Sequence, residues 1–190
     1  MDSHKLSLHF DARRLEEDLE KVLAASADWI DHYVTQNYEG SWSVIPLRAN
    51  RNATHPVMMI YSDPTSDDYV DTPFLAACPY FAEVLGHFHT RLLAARLMRL
   101  GRGSIIKEHR DHDLDVEGGT VRIHVPVVTN PEVHFLLNGR RVIMQAGECW
   151  YLRLSDPHSV RNDGPDRVHL VMDMEVNDWV LAQLGAALAH

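Results

Sequence analysis

Two kinds of hydrophobic spacing divide this chain. In the first half, Leu15, Leu19, Val22 and Leu23 recur at helical intervals, which predicts a helix over 12–25 entered through Asp11 as its N-cap. Leu6-Ser7-Leu8-His9-Phe10 alternates ahead of it as a short strand. Residues 26–75 are less regular: Trp42 to Leu47 is a predicted strand, and the Pro- and Asp-rich run 62–73 a predicted exposed loop. A second helix is expected over 80–88. From Leu92 the period changes to two. Strands are predicted over 92–100, 105–111, 120–128, 133–137, 141–144, 148–154 and 167–176. Asn138-Gly139 between two of them is a strong hairpin signal. Asn177 is placed to cap a last helix over 178–188.

Helices first, then many short strands joined by turns, then a helix, predict a mainly β protein with flanking helices, a sandwich or jelly-roll barrel. At 190 residues the chain is expected to form one domain: a helical or irregular part over 1–91, a jelly-roll core over 92–176, and a C-terminal helix over 177–190. A net charge of -9 argues against sequence-independent binding to nucleic acid or anionic membranes, which needs basic surfaces. The start, MDSHKLSLHFDARR, lacks the apolar run of a signal peptide, and no segment is long and apolar enough to span a membrane. Cys78 and Cys149 form no close-spaced motif, so free thiols and a cytoplasmic location are expected. Oligomeric state stays open.

The candidate chemistry lies in His109-Arg110-Asp111 and, far downstream, in Asp156-Pro157-His158 and Arg167. Two histidines and one carboxylate form the ligand set that grips Fe(II) on one face and leaves the other open. Residues i and i+2 of a strand point the same way, so His109 and Asp111 can hold one ion from one strand end. His158 must then arrive from a neighbouring strand, and a jelly-roll mouth unites such distant ends. The spelling alone is weak in a chain with 13 histidines. His9-Phe10-Asp11 repeats it, yet Asp11 reads as a helix cap. The charged run EHRDHDLDVEGG also fits a solvated turn; the apolar Ile105-Ile106 lead-in and the third candidate ligand oppose that alternative. Arg167 opens an apolar strand, where a cation is costly to bury without an anion, and its planar fork suits a carboxylate. Arg122 and His124 share one face of 120–128, and the sequence leaves open whether that face is wet or lines a pocket. His112 and Asp113 are expected to flank the site in solvent. His87, His89, His134 and His169 read as ordinary core-edge or surface histidines, and Trp42 and Trp150 as core in preference to pocket, with a place in the lining of a substrate site open to either.

The run IIKEHRDHD, VRIHVPVVTNPEVHFLLNGRR, AGECWYLRLSDPHSV and DRVHLVMDM resembles the aspartyl/asparaginyl β-hydroxylase family, in the bacterial branch related to proline hydroxylases. The likeness covers about 92–175, with a consistent but weaker entry at FDARRLEEDL. It implies a double-stranded β-helix of cupin-like, jelly-roll type and an Fe(II)- and 2-oxoglutarate-dependent dioxygenase. By position, His109, Asp111 and His158 would be the iron ligands, Arg167 would pair with the distal carboxylate of 2-oxoglutarate, and Arg122 and His124 would line the cosubstrate or substrate carboxylate site. Asp111 places the chain with three-ligand members, whereas some animal members lack the acid. The implied reaction consumes O2 and 2-oxoglutarate and hydroxylates an unactivated C–H of an amino acid, free in preference to peptide- or carrier-bound. Arg96, Arg99, Arg110, Arg122, Arg153 and Arg161 are available for a substrate anion, with Arg122 first. Two alternatives belong to other classes: a cupin-type metalloenzyme that does not use 2-oxoglutarate, and a non-catalytic binding or sensor domain. Asp111 and Arg167 speak against the first, and the intact ligand trio against the second.

Overall fold

The computed structural model describes residues 2–25, 28–60, 66 and 68–185. The chain enters through β1 (Ser3–His9) and α1 (Ala12–Ala24). Asp11 caps α1 as predicted, its Oδ1 accepting from the Arg13 and Arg14 amides at 3.0 and 3.2 Å, a contact of the kind that contributes about 1 kcal/mol. Then come β2 (Ile30–Asp31), β3 (Tyr38–Glu39), β4 (Trp42–Asn50), α2 (Pro56–Ile60), β5 (Tyr69–Asp71), α3 (Pro73–Ala76) and α4 (Pro79–Leu85). The N-terminal part is therefore richer in strand than its irregular pattern suggests. The predicted loop 62–73 lies partly outside the described residues; its described end forms β5, with Tyr69 and Thr72 buried.

The alternating half supplies β6 (Leu92–Leu100), β7 (Ser104–His109), β8 (Thr120–Val128), β9 (Val133–Leu137), β10 (Arg140–Val142), β11 (Glu148–Leu152), β12 (His158–Asn162) and β13 (Arg167–Glu175), followed by α5 (Asp178–Gln183). Asn177 caps α5 through Val180 N–H at 3.0 Å; the end of the helix expected to Leu188 lies outside the described residues. Asn138 and Gly139 have φ of 51° and 72°, the left-handed pair that a tight hairpin between β9 and β10 requires.

The strands form two antiparallel sheets. The larger has the order β1-β11-β8-β13-β6-β4-β2, with β5 beside β4; the smaller runs β10-β9-β12-β7-β3. This is the double-stranded β-helix, built as two facing sheets and not as one closed barrel. Alternation sorts the larger sheet's side chains. Val121, Ile123, Leu170 and Met172 pack outward against Leu15, Leu19 and Phe81 of α1 and α4. Val44, Met98 and Val171 point inward, toward Phe135, Leu137 and Val160 of the smaller sheet. Each fully buried side chain of this size contributes about 1.5–3 kcal/mol. Asp18 is the polar exception in the outer layer: its Oδ2 accepts from the Tyr80 and Phe81 amides at 2.6 and 2.9 Å and so caps α4. Among the described residues no helix is long and apolar enough to cross a membrane.

Candidate active site

Between the sheets lies a cavity of about 880 Å³. Strand pairing puts the first two candidate ligands into it. His158 opens β12 directly opposite His109 at the end of β7, and their ring centroids are 4.3 Å apart. β7 stops at His109, two residues short of its predicted end. The chain beyond stays pinned, because Asp111 N–H donates to Leu154 O at 2.8 Å. Asp111 Oδ1 then lies 3.6 Å from His109 Nε2. One donor atom from each of His109, Asp111 and His158 lies within 4.8 Å of the others.

Hydrogen bonds settle which atoms face the centre. His109 Nδ1 is 2.8 Å from Lys107 O and His158 Nδ1 is 3.0 Å from Asp156 O. A carbonyl only accepts, so both Nδ1 atoms carry the proton and both Nε2 atoms present lone pairs. This is the outer-shell support that metal-binding histidines ordinarily have. Burial lowers the His158 pKa, which keeps that ring neutral as a ligand must be. Two imidazoles and one carboxylate with tautomers already fixed fit a divalent iron centre.

The facing wall belongs to the larger sheet. Arg122 and His124 of β8 point into the cavity, which resolves the face that the alternation left open. Arg122 is nevertheless committed. Its Nε and Nη2 donate to Asp173 Oδ1 and Oδ2 at 2.6 and 3.0 Å, and its Nη1 donates to Asp111 Oδ2 at 2.8 Å. Three of its five N–H groups thus go to two carboxylates, and the expected role of Arg122 toward a cosubstrate or substrate carboxylate would fall to the other two. Burial lowers its pKa, but the charge of Asp173, the hydrogen bonds to it and the charge of Asp111 together outweigh that and raise it.

Arg167, only 2% exposed, begins β13 at the deep end of the cavity. Its Nη2 donates to His169 Nδ1 at 2.9 Å. His124 Nδ1 lies 3.3 Å from that same His169 atom. Among the described residues Arg167 Nε, His124 Nε2 and His169 Nε2 are buried without a hydrogen-bond partner. Burial pushes Arg167 down to about 9 and both imidazoles well below their ordinary value. A buried cation that donates to a neutral ring is the setting an incoming carboxylate would complete.

Three contributors escaped the sequence. His169 is not an ordinary core-edge histidine but the partner of Arg167. Asp173 joins Arg122 to Arg96. The signal for both was present: Arg167, His169, Val171 and Asp173 alternate on one face, and three of the four are polar in an otherwise apolar strand. His32 lines the cavity with its ring stacked on Trp42 at 3.5 Å, and burial together with the charges of Arg96 and Arg122 lowers it to about 3. Trp42 thus serves both core and pocket. His112 and Asp113 are exposed, as expected.

Comparison with known proteins gives the family and the fold. The sequence profile described as aspartyl/asparaginyl beta-hydroxylase matches residues 9–176. An L-proline cis-4-hydroxylase of Rhizobium meliloti (strain 1021) is 28% identical over 181 residues, 92% of this chain. That alignment covers 61% of the relative, so this chain spans about three fifths of its length. A Pseudomonas putida prolyl-4-hydroxylase shares the fold with a TM-score of 0.56 at 11% identity, covering 93% of each chain. HygX from Streptomyces hygroscopicus, solved with nickel and 2-oxoglutarate bound, has a TM-score of 0.55 at 12% identity, covering 93% of this chain and 84% of its own.

Proposed function

Because the chain belongs to the aspartyl/asparaginyl β-hydroxylase family, we propose that it is an Fe(II)- and 2-oxoglutarate-dependent dioxygenase that hydroxylates an unactivated C–H of an amino acid. The observation that carries this reading is the meeting, in one cavity, of the His109, Asp111 and His158 donors with the buried guanidinium of Arg167. An iron-binding face alone would fit many oxygenases. A buried, unsatisfied cation beside it fits a dicarboxylate cosubstrate.

His109, Asp111 and His158 would hold the iron, with the Nε2 atoms of the two histidines and the Asp111 carboxylate as the available donors. Bound Fe(II) supplies the oxygen-activating chemistry, with 2-oxoglutarate and O2 consumed and succinate and CO2 released. Arg167 receives the distal carboxylate of 2-oxoglutarate, with His124 beside it as a second polar contact. His169 holds the Arg167 fork from behind. Arg122 keeps Asp111 in place. None of these groups needs to move a proton; their work is to bind, orient and keep the pocket closed to other reactive groups. The cavity lies in the upper part of the volume range for small-molecule sites, which suits cosubstrate and an amino acid side by side. The name of the Rhizobium meliloti relative supports a free amino acid as substrate. The active unit proposed is the single domain 1–190.

The test is an anaerobic titration of the Fe(II)-loaded protein with 2-oxoglutarate, followed by an amino-acid panel scored by succinate release. A weak visible charge-transfer band is expected in the wild type and absent in His158→Ala and Asp111→Ala. A folded, iron-loaded wild type that gives no band sinks the proposal and favours a cupin-type enzyme that does not use 2-oxoglutarate.

A further inference from the structure

The polar wall opposite the three metal-binding candidates is organised around one side chain. Asp173, 1% exposed, sits on the inner face of β13. Strand register places Arg122 of β8 directly opposite it, and Arg96 of β6 opposite the neighbouring Val171. Arg122 grips both Asp173 oxygens side-on through Nε and Nη2. Arg96 binds Asp173 Oδ2 from the other side and donates from Nη1 to Ile60 O at 2.9 Å. The remaining nitrogen of the Arg122 fork, Nη1, reaches across the cavity to Asp111 Oδ2 at 2.8 Å.

We propose that Asp173 is a positioning residue for the metal site: it fixes the plane of Arg122, so that Arg122 in turn holds the Asp111 carboxylate with Oδ1 turned toward His109. The inference rests on the assignment of Asp111 as a metal ligand and goes one residue beyond it. Two physical points carry it. The first is geometric. A guanidinium is planar and rigid, so a side-on grip through two nitrogens also fixes the direction of the third. Asp111 follows the end of β7, so no ladder of its own strand orients its side chain. The second is charge. The Asp173 carboxylate partly neutralises the Arg122 guanidinium that faces Asp111. Neutralising Asp173 would strengthen the pull of Arg122 on Asp111, which would compete with the metal for the carboxylate. Removal of outer-shell partners of metal ligands typically weakens metal binding by about 10–100-fold.

A purely structural role would differ in its consequence. A buried cluster that only stitches β6, β8 and β13 together would lower stability when broken and leave metal affinity alone. The experiment is an anaerobic titration of the metal-free full chain with Co(II), read by visible absorption, with urea melts of the same metal-free proteins. Asp173→Asn keeps the shape and removes the charge. We expect Co(II) binding about 10–100-fold weaker in Asp173→Asn. Arg122→Gln should show a similar loss, and the double variant should bind no more weakly than the poorer single, because both act through one contact. A folded Asp173→Asn with wild-type affinity overturns the inference, and so do losses that multiply in the double variant. Should Asp173→Asn fail to fold, Arg122→Gln decides, and unchanged affinity there overturns it. Wild-type protein that binds no Co(II) would instead sink the metal assignment and this inference with it. Tight wild-type binding unmoved by the variants sinks the inference alone.

Discussion

The two halves of the cavity are built on opposite plans. On the smaller sheet, His109, Asp111 and His158 have their outer atoms occupied: Nδ1 of each histidine by a carbonyl, Oδ2 of Asp111 by Arg122, and its amide by Leu154. On the larger sheet, Arg167, His124 and His169 leave three buried nitrogens without partners among the described residues. The first half is complete as a protein structure, and a metal would only add to it. The second half is costly as a protein structure and would be completed by an anion. The difference separates two jobs. A metal centre needs its donors aligned in advance, whereas a site for a cosubstrate that binds and leaves at every turnover can keep its cation unsatisfied, so that binding relieves the cost.

Replacing the cation tests this contrast most sharply. Arg167→Met should raise the 2-oxoglutarate requirement by two to three orders of magnitude, the scale for losing one partner of a buried charge pair. Stability should move the other way. Burial depresses the Arg167 pKa in the folded state to about 9, well below that of a free guanidinium. Below pH 9 the side chain is a cation both folded and unfolded, so its full desolvation cost is present at neutral pH and recedes only as pH rises above 9. An apolar side chain of similar length removes that cost. Thermal melts of the ligand-free protein should therefore show Arg167→Met at least as stable as wild type. A variant that loses stability and keeps its 2-oxoglutarate requirement would make Arg167 a structural residue.

The buried imidazoles set the next effect. His124, His169 and His32 all have pKa values held below the ordinary 6.5, chiefly by burial. As pH falls below 6.5 the unfolded chain takes up these protons and the folded one resists, so stability is full above that value and declines beneath it. Each histidine adds about 1.4 kcal/mol per pH unit to the slope. Three together approach roughly 4 kcal/mol per unit, which would remove a typical stability of about 5–15 kcal/mol within a few units. Urea melts at steps between pH 7.5 and 4.5 should show this fall, and His169→Phe should lower the slope by about 1.4 kcal/mol per pH unit. A level profile over that range would mean that these rings carry charge in the fold.

Much of this arrangement could be read from the chain, and the unread part has a physical pattern. Strands 92–100 and 120–128 were legible to the residue. The hairpin at Asn138-Gly139 was equally plain. By contrast β12, with the sequence HSVRN, is short and mixed, and it is a strand only because β7 and β9 flank it. β2 and β3 are two residues each and exist through β4 and β7. The ligand candidates were found by spacing within the chain. Asp173 and His169 were not, because what they do is set by cross-strand neighbours, and β13 is buried on both faces, so its alternation does not stand out as hydrophobic against wet.

The smallest expected effect guards the assignment of the acid. Asp113 lies two residues beyond Asp111 in the same charged run and would be its natural substitute as a ligand. The structure separates them. Asp113 is exposed at the rim of the cavity, its backbone sits at φ 60° in the left-handed region, and its carboxylate is not among the donors that converge with His109 and His158. Asp and Asn tolerate that conformation better than Ala, which loses about 1 kcal/mol or somewhat more there. Asp113→Ala should thus lower the melting temperature by roughly 2–4 °C while metal affinity and turnover stay within about twofold of wild type. Asp113→Gly, free of the backbone penalty, should recover the melting temperature. Loss of metal binding in Asp113→Gly on the scale expected for Asp111→Ala would mean that the carboxylate of the site had been placed on the wrong residue, and the preformed half of the cavity would have to be redrawn around the turn.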